Sequence, residues 1–246
     1  MNKEKLRLLA SVSCFLFALI LFTGVSFAYF SDSQQIANTL TAGNVTIELS
    51  EAAVKNDGGH LVEDPDKDRI MGGSDIVMNN YGKVYPGMTI YKDPTIKNIG
   101  DDAAWVAAKI TITDGSGSLY NLIGYDHYAG IDMKELLFGG LVGESAHSGT
   151  WNGIPNVRYT DEWAIIQKAD MATDTYEFYV LILNPLPKDE SVTLFTHFQM
   201  PPEWTSDDVK NMSQLTIHVQ AYAVQLFDMT SCYQAMTTAF SDHFSF

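Results

Sequence analysis

The chain has 246 residues, 46% hydrophobic and 12% aromatic, enough to bury one sizeable core and within the reach of a single all-β domain. Its 15 Lys and Arg stand against 30 Asp and Glu, a formal charge of −15, so a nucleic acid or an anionic membrane surface would be repelled by most of the molecule.

At the N-terminus Lys3, Lys5 and Arg7 precede an uncharged apolar run over residues 8–27 that ends in Ser26-Phe27-Ala28. Cations, an apolar stretch and small residues at Ser26 and Ala28 predict a secretory signal peptide over residues 1–28, cleaved after Ala28. An uncleaved membrane anchor is the alternative, because the run is long enough to span a bilayer. With Cys14 in the leader, Cys232 is the one thiol of the mature chain, so no intramolecular disulfide is expected.

Downstream, Val45-Thr46-Ile47-Glu48-Leu49 alternates apolar and polar residues, the pattern of a half-buried strand. Residues 56–80, rich in Gly, Asp and Asn, read as a long loop or hairpin excursion. Tyr85-Pro86-Gly87 is a turn that launches strands over 88–91 and 95–98, ended by Asn98-Ile99-Gly100-Asp101. Residues 105–113 predict a central strand, with Val106, Ala108, Ile110 and Ile112 on one face and Trp105, Ala107, Lys109 and Thr111 on the other. From 114 to 160 the periodicity weakens, only 131–138 reads as helical, and the segment is expected to be an excursion capping one end of the fold. Strands are then predicted over 163–167, 176–183, 191–199 and 215–226. A short helix is expected over 205–212, opened by Ser206-Asp207-Asp208, and an amphipathic helix or ordered tail over 228–246. About eight strands with no βαβ alternation predict an all-β, two-sheet jelly-roll-like sandwich with short helices and long loop insertions, occupying residues 42–246.

One acidic cluster stands out. Asp64, Asp66, Asp68 and Asp75 fall at positions one, three, five and twelve of a loop, the carboxylate spacing of a calcium site. Arg69 stands where such a loop needs Gly, Pro65 restricts position two, and a solvated acidic loop is the alternative reading. No other cofactor is implied. The six histidines are scattered, with no His-Glu-x-x-His, and no Gly-x-Ser-x-Gly nominates a nucleophile. Of the four tryptophans, Trp151, beside Asn152-Gly153, is the one set for ligand contact such as carbohydrate, while aromatics at strand spacing are expected in the core.

Phe27-Ala28-Tyr29-Phe30-Ser31-Asp32, followed by Thr41-Ala42-Gly43-Asn44-Val45-Thr46-Ile47-Glu48-Leu49, resembles the TasA/camelysin family at its signal-peptide junction and first strand. Tyr85-Pro86-Gly87-Met88-Thr89 with Lys97-Asn98-Ile99-Gly100 is similar to that family's Pro-Gly turn and Asn-x-Gly terminator, and residues 217–225 to its last core strand. The resemblance covers both ends and leaves the middle open. It implies a non-enzymatic subunit of a biofilm-matrix or cell-surface fibre, secreted after cleavage by a signal peptidase of the SipW type. Its partners would be copies of itself and other matrix or cell-wall components, with residues 29–41 donating a strand to the next subunit. In an extended chain Tyr29 and Phe30 open that segment, and Phe30, Ile36 and Leu40 share one face at even spacing, as strand addition requires. A camelysin-like secreted metalloprotease and a monomeric accessory protein or adhesin are the rival implications.

Overall fold

A computed structural model describes residues 45–72, 75–77, 85–113, 147–170, 175–200, 202, 204–211, 216–226 and 228–246. All lie in the compact unit Ala42–Phe246. Ser26, Ala28, the strand-donor residues Tyr29, Phe30, Ile36 and Leu40, and the helix expected over 131–138 fall outside the described residues.

The protein is an all-β sandwich. Its largest sheet runs β5 (Asp75–Val77), β15 (Thr216–Gln225), β8 (Ala104–Thr113), β12 (Thr175–Ile182), β11 (Trp163–Asp170), β10 (Ile154–Tyr159) and β9 (His147–Trp151) in spatial order. β8 is an interior strand, antiparallel to both neighbours, with Ala108 opposite Ala221 on one side and Val180 on the other. Two four-stranded sheets face the same core. One runs β13 (Ser191–Thr193), β7 (Thr95–Asn98), β1 (Ile47–Glu51), β4 (Ile70–Met71); the other runs β14 (His197–Gln199), β6 (Thr89–Tyr91), β3 (His60–Glu63), β2 (Val54–Asp57).

The alternation seen in the sequence sorts the side chains as expected. Val106, Ala108, Ile110 and Ile112 of β8 enter a core that also takes Leu49 of β1, Ile90 of β6, Ile96 of β7 and Phe178 of β12. Trp105 and Ala107 point the other way, into a second core closed by the helix α2 (Cys232–Ala239) and the residues after it. Both faces of β8 are therefore buried over its first half, which explains why residues 104–108 read as a continuous apolar run. The segment expected as a helix or an ordered tail is both: Ser231 caps α2 by accepting from the Gln234 N–H, and Phe244 packs edge-on against Tyr179 and Tyr222. The short helix α1 (Ser206–Asn211) lies within the predicted 205–212.

Two expectations need correction. The 147–159 part of the supposed excursion is the β9–β10 hairpin, which extends the large sheet. Its turn is Asn152-Gly153, both with positive φ, 49° and 83°. That is the turn whose twist matches paired strands, and Asn-Gly is its sequence signature. The predicted strand 191–199 is two strands, β13 and β14, in different sheets. The chain bends at Leu194–Thr196, and the neighbouring pair β6 and β7 bends beside it at Lys92–Pro94, where Leu194 N–H donates to Pro94 O and Lys92 N–H to Thr196 O. Pro94 offers no N–H, so an unbroken ladder cannot cross that line. The result is a crease running between the two smaller sheets.

Candidate functional site

Three places concentrate chemistry. The first is the crease. β1 ends in Glu51, the β6–β7 bend supplies Lys92 and Asp93, and Arg69 reaches in from the segment before β4. Lys92 Nζ lies 2.5 Å from Glu51 Oε2, and both side chains are 0% exposed. Asp93 accepts from the Ala52 N–H at 2.7 Å and from Arg69 Nη1 at 2.7 Å, while Arg69 also donates to Ser50 Oγ and to the Asp93 carbonyl. The side chains thus supply bonds that the bent backbone cannot make to itself. Burial lowers the Lys92 pKa, against the pull of Glu51, and burial together with Asp93 raises that of Tyr91, whose hydroxyl is 3.4 Å from Asp93 Oδ2. Nothing in the periodicity marks this cluster, because charged residues beside a strand end read as surface. The adjacent Lys92-Asp93-Pro94 between two short strands was the available signal.

The second is a cleft of about 400 Å³ between the inner face of the large sheet and β13, lined by Trp163, Ile165, Val180, Ile182, Val192 and Leu194. β13 is an edge strand: it pairs with β7, and among the described residues no strand pairs with its other side. Hydrogen bonds from Asn98 N–H to Glu190 O and from Leu194 N–H to Pro94 O fix the alternation of its ladder. By that alternation the backbone groups of Ser191 and Thr193 point away from β7. Edge and apolar wall thus lie side by side.

The third is the acidic loop. Asp64 is 8% exposed, and its carboxylate lies 3.6 Å from Lys55 Nζ and 3.4 Å from Lys67 Nζ, while it accepts from the Asp66 N–H at 3.4 Å. Burial raises its pKa, but that N–H and the two lysines outweigh burial and hold the carboxyl below 3.8. Asp66 and Asp68 are exposed, and Asp75 belongs to β5 at the edge of the large sheet. The fold thus gathers Asp64 and Asp66 in one turn and turns Asp64 towards cations of its own chain. Among the described residues no group of three His, Cys, Asp or Glu side chains is placed to hold a metal ion.

The remaining candidates have structural neighbours. Trp105, Trp163 and Trp204 are buried, and Trp151 is half-buried with its ring edge-on to Tyr233 at 5.6 Å. Cys232 is buried, donates to Val106 O, and burial pushes its thiol up to about 12, so it behaves as a small core residue. Among the described residues no helix is long and apolar enough to cross a membrane.

Comparisons of the chain with protein-family models, with curated proteins and with solved structures find no match.

Proposed function

We propose that this chain is an exported cell-surface or biofilm-matrix fibre subunit, a jelly-roll-like sandwich that polymerises head to tail by strand donation. Residues 29–41 of one copy lie in the cleft beside β13 of the next. The observation that carries this reading is the coincidence, at one place in the fold, of an apolar wall with a ladder edge that no strand among the described residues covers. Main-chain bonds to the edge supply affinity, and Phe30, Ile36 and Leu40, on one face of the donor, fill the cleft. A contact between two different surfaces does not close on itself, so repetition gives a filament. The signal-peptide layout, cleavage by a SipW-type peptidase and the secreted location belong to the same reading. So do the absence of a required cofactor and a non-enzymatic role.

Negative-stain electron microscopy tests it on three proteins: residues 29–246, residues 42–246, and residues 29–246 carrying Val192→Lys. Filaments are expected from the first alone, with circular dichroism of the Val192→Lys protein unchanged. Filaments from residues 42–246 would discard strand donation, and filaments from a folded Val192→Lys protein would discard the cleft. Monomers throughout would leave the accessory-protein and metalloprotease readings.

A further inference from the structure

We propose that Lys92 and Glu51 become joined by an intramolecular amide bond that the fold itself forms, a covalent strut across the crease. The inference is independent of the fibre reading. It begins from the two side chains being wholly enclosed and in contact, Nζ 2.5 Å from Oε2, which places the amine nitrogen within one further bond length of the Glu51 carboxyl carbon.

The surroundings favour reaction over a lasting ion pair. An ammonium enclosed away from water lacks the solvation that stabilises its charge, so loss of its proton becomes easier. Burial acts in that sense on Lys92, whose hold on its proton is weakened. A desolvated lysine is a nucleophile. Two groups held in contact by a rigid fold also react with an effective concentration on the order of 10⁵ M or more.

Asp93 is a positioning residue. It takes the Ala52 N–H at 2.7 Å and is itself held by Arg69, so the dipeptides Glu51-Ala52 and Lys92-Asp93 are pinned side by side by two adjacent contacts. In the step, Nζ attacks Cδ of Glu51, a C–N bond forms and one C–O bond breaks. Counted from ammonium and carboxylate, the departing oxygen leaves as water with two protons from Nζ. No electron changes hands and no co-reactant is needed. Once water has left an enclosed site, hydrolysis lacks its reagent. The bond would close a loop between residues 41 apart, in a chain whose mature part has one thiol and no disulfide to do the same.

The test is intact-mass spectrometry of the purified chain unfolded in guanidinium, followed by a tryptic map. The expected result is a mass lower than that of the sequence by one water, with Glu51 and Lys92 recovered in one branched peptide uncut at Lys92. Lys92→Arg should restore the unreacted mass. A wild-type chain at full mass, with Glu51 and Lys92 in separate linear peptides, overturns the proposal whether or not the variant folds. So does a lost water that maps to the Asp57-Gly58 step, where succinimide formation gives the same mass.

Discussion

Glu177 and Tyr179 of β12 meet Lys109 of β8 on the face of the large sheet that α2 covers. Lys109 Nζ is 2.5 Å from Glu177 Oε1, the Tyr179 hydroxyl donates to Glu177 Oε2 at 2.6 Å, and the lysine also lies over the Tyr179 ring. Burial raises the Glu177 pKa, but the hydrogen bonds from Lys109 and Tyr179 outweigh it and hold the carboxyl below its ordinary 4.5. Burial and the same carboxylate drive the Tyr179 hydroxyl well above its ordinary range. A carboxylate depressed on folding contributes stability that is present above the unfolded pKa and lost as pH falls through the folded one. Glu177→Gln is therefore expected to cost about 1 kcal/mol at neutral pH and progressively less as pH falls below 4.5. Urea unfolding at neutral and acid pH checks this; a cost that does not change with pH would show that shape rather than charge matters there.

At the scale of elements, two turns and a bend decide the topology. The β2–β3 hairpin turns through Gly58-Gly59 with φ of 58° and 91°, and β9–β10 through Asn152-Gly153. Both dipeptides are turn signals, but the strands beside the second, His147–Trp151 and Ile154–Tyr159, carry little alternation and few buried residues, so the sequence alone predicts no hairpin there. A side chain at Gly153, where φ is 83°, meets backbone strain although nothing lies within 4 Å of its Cβ position. Gly153→Ala is expected to destabilise by about 1–2 kcal/mol in thermal or urea unfolding. An unchanged midpoint would mean the hairpin makes no contribution to the cooperative unit. The crease is the reverse case: residues 191–199 alternate well enough to pass for one strand, and what divides them is Pro94, nearly a hundred positions earlier in the chain.

For the whole molecule, the dominant quantity is charge. The full chain carries −15 with a pI near 4.6, and a leader holding three of its cations would leave the remainder more acidic still. Repulsion between copies opposes association at neutral pH and fades as carboxylates are protonated. Polymer yield from residues 29–246, read by sedimentation, is expected to rise from pH 7 towards pH 5 and to rise with added salt at pH 7, on the basis of charge screening alone. A yield indifferent to both would count against charge repulsion as the barrier to the proposed assembly.

The class of the fold and most of its strands were legible from the sequence, because period-two alternation is a local property that burial on one face imposes directly. The strands predicted for β1, β6, β7, β8, β11, β12 and β15 lie within a few residues of the observed bounds, and the two faces predicted for β8 enter the two cores. Tertiary structure alone decided three things. It placed α2 on the outer face of the large sheet, giving Trp105 and Tyr222 a second core. It brought Glu51, Arg69, Lys92 and Asp93 together at a bend, although they lie on segments far apart in the chain. It set β13, which among the described residues pairs with β7 alone, beside an apolar wall. Each depends on contacts between segments distant in sequence, and a residue's local pattern records which way it faces, not what it will face.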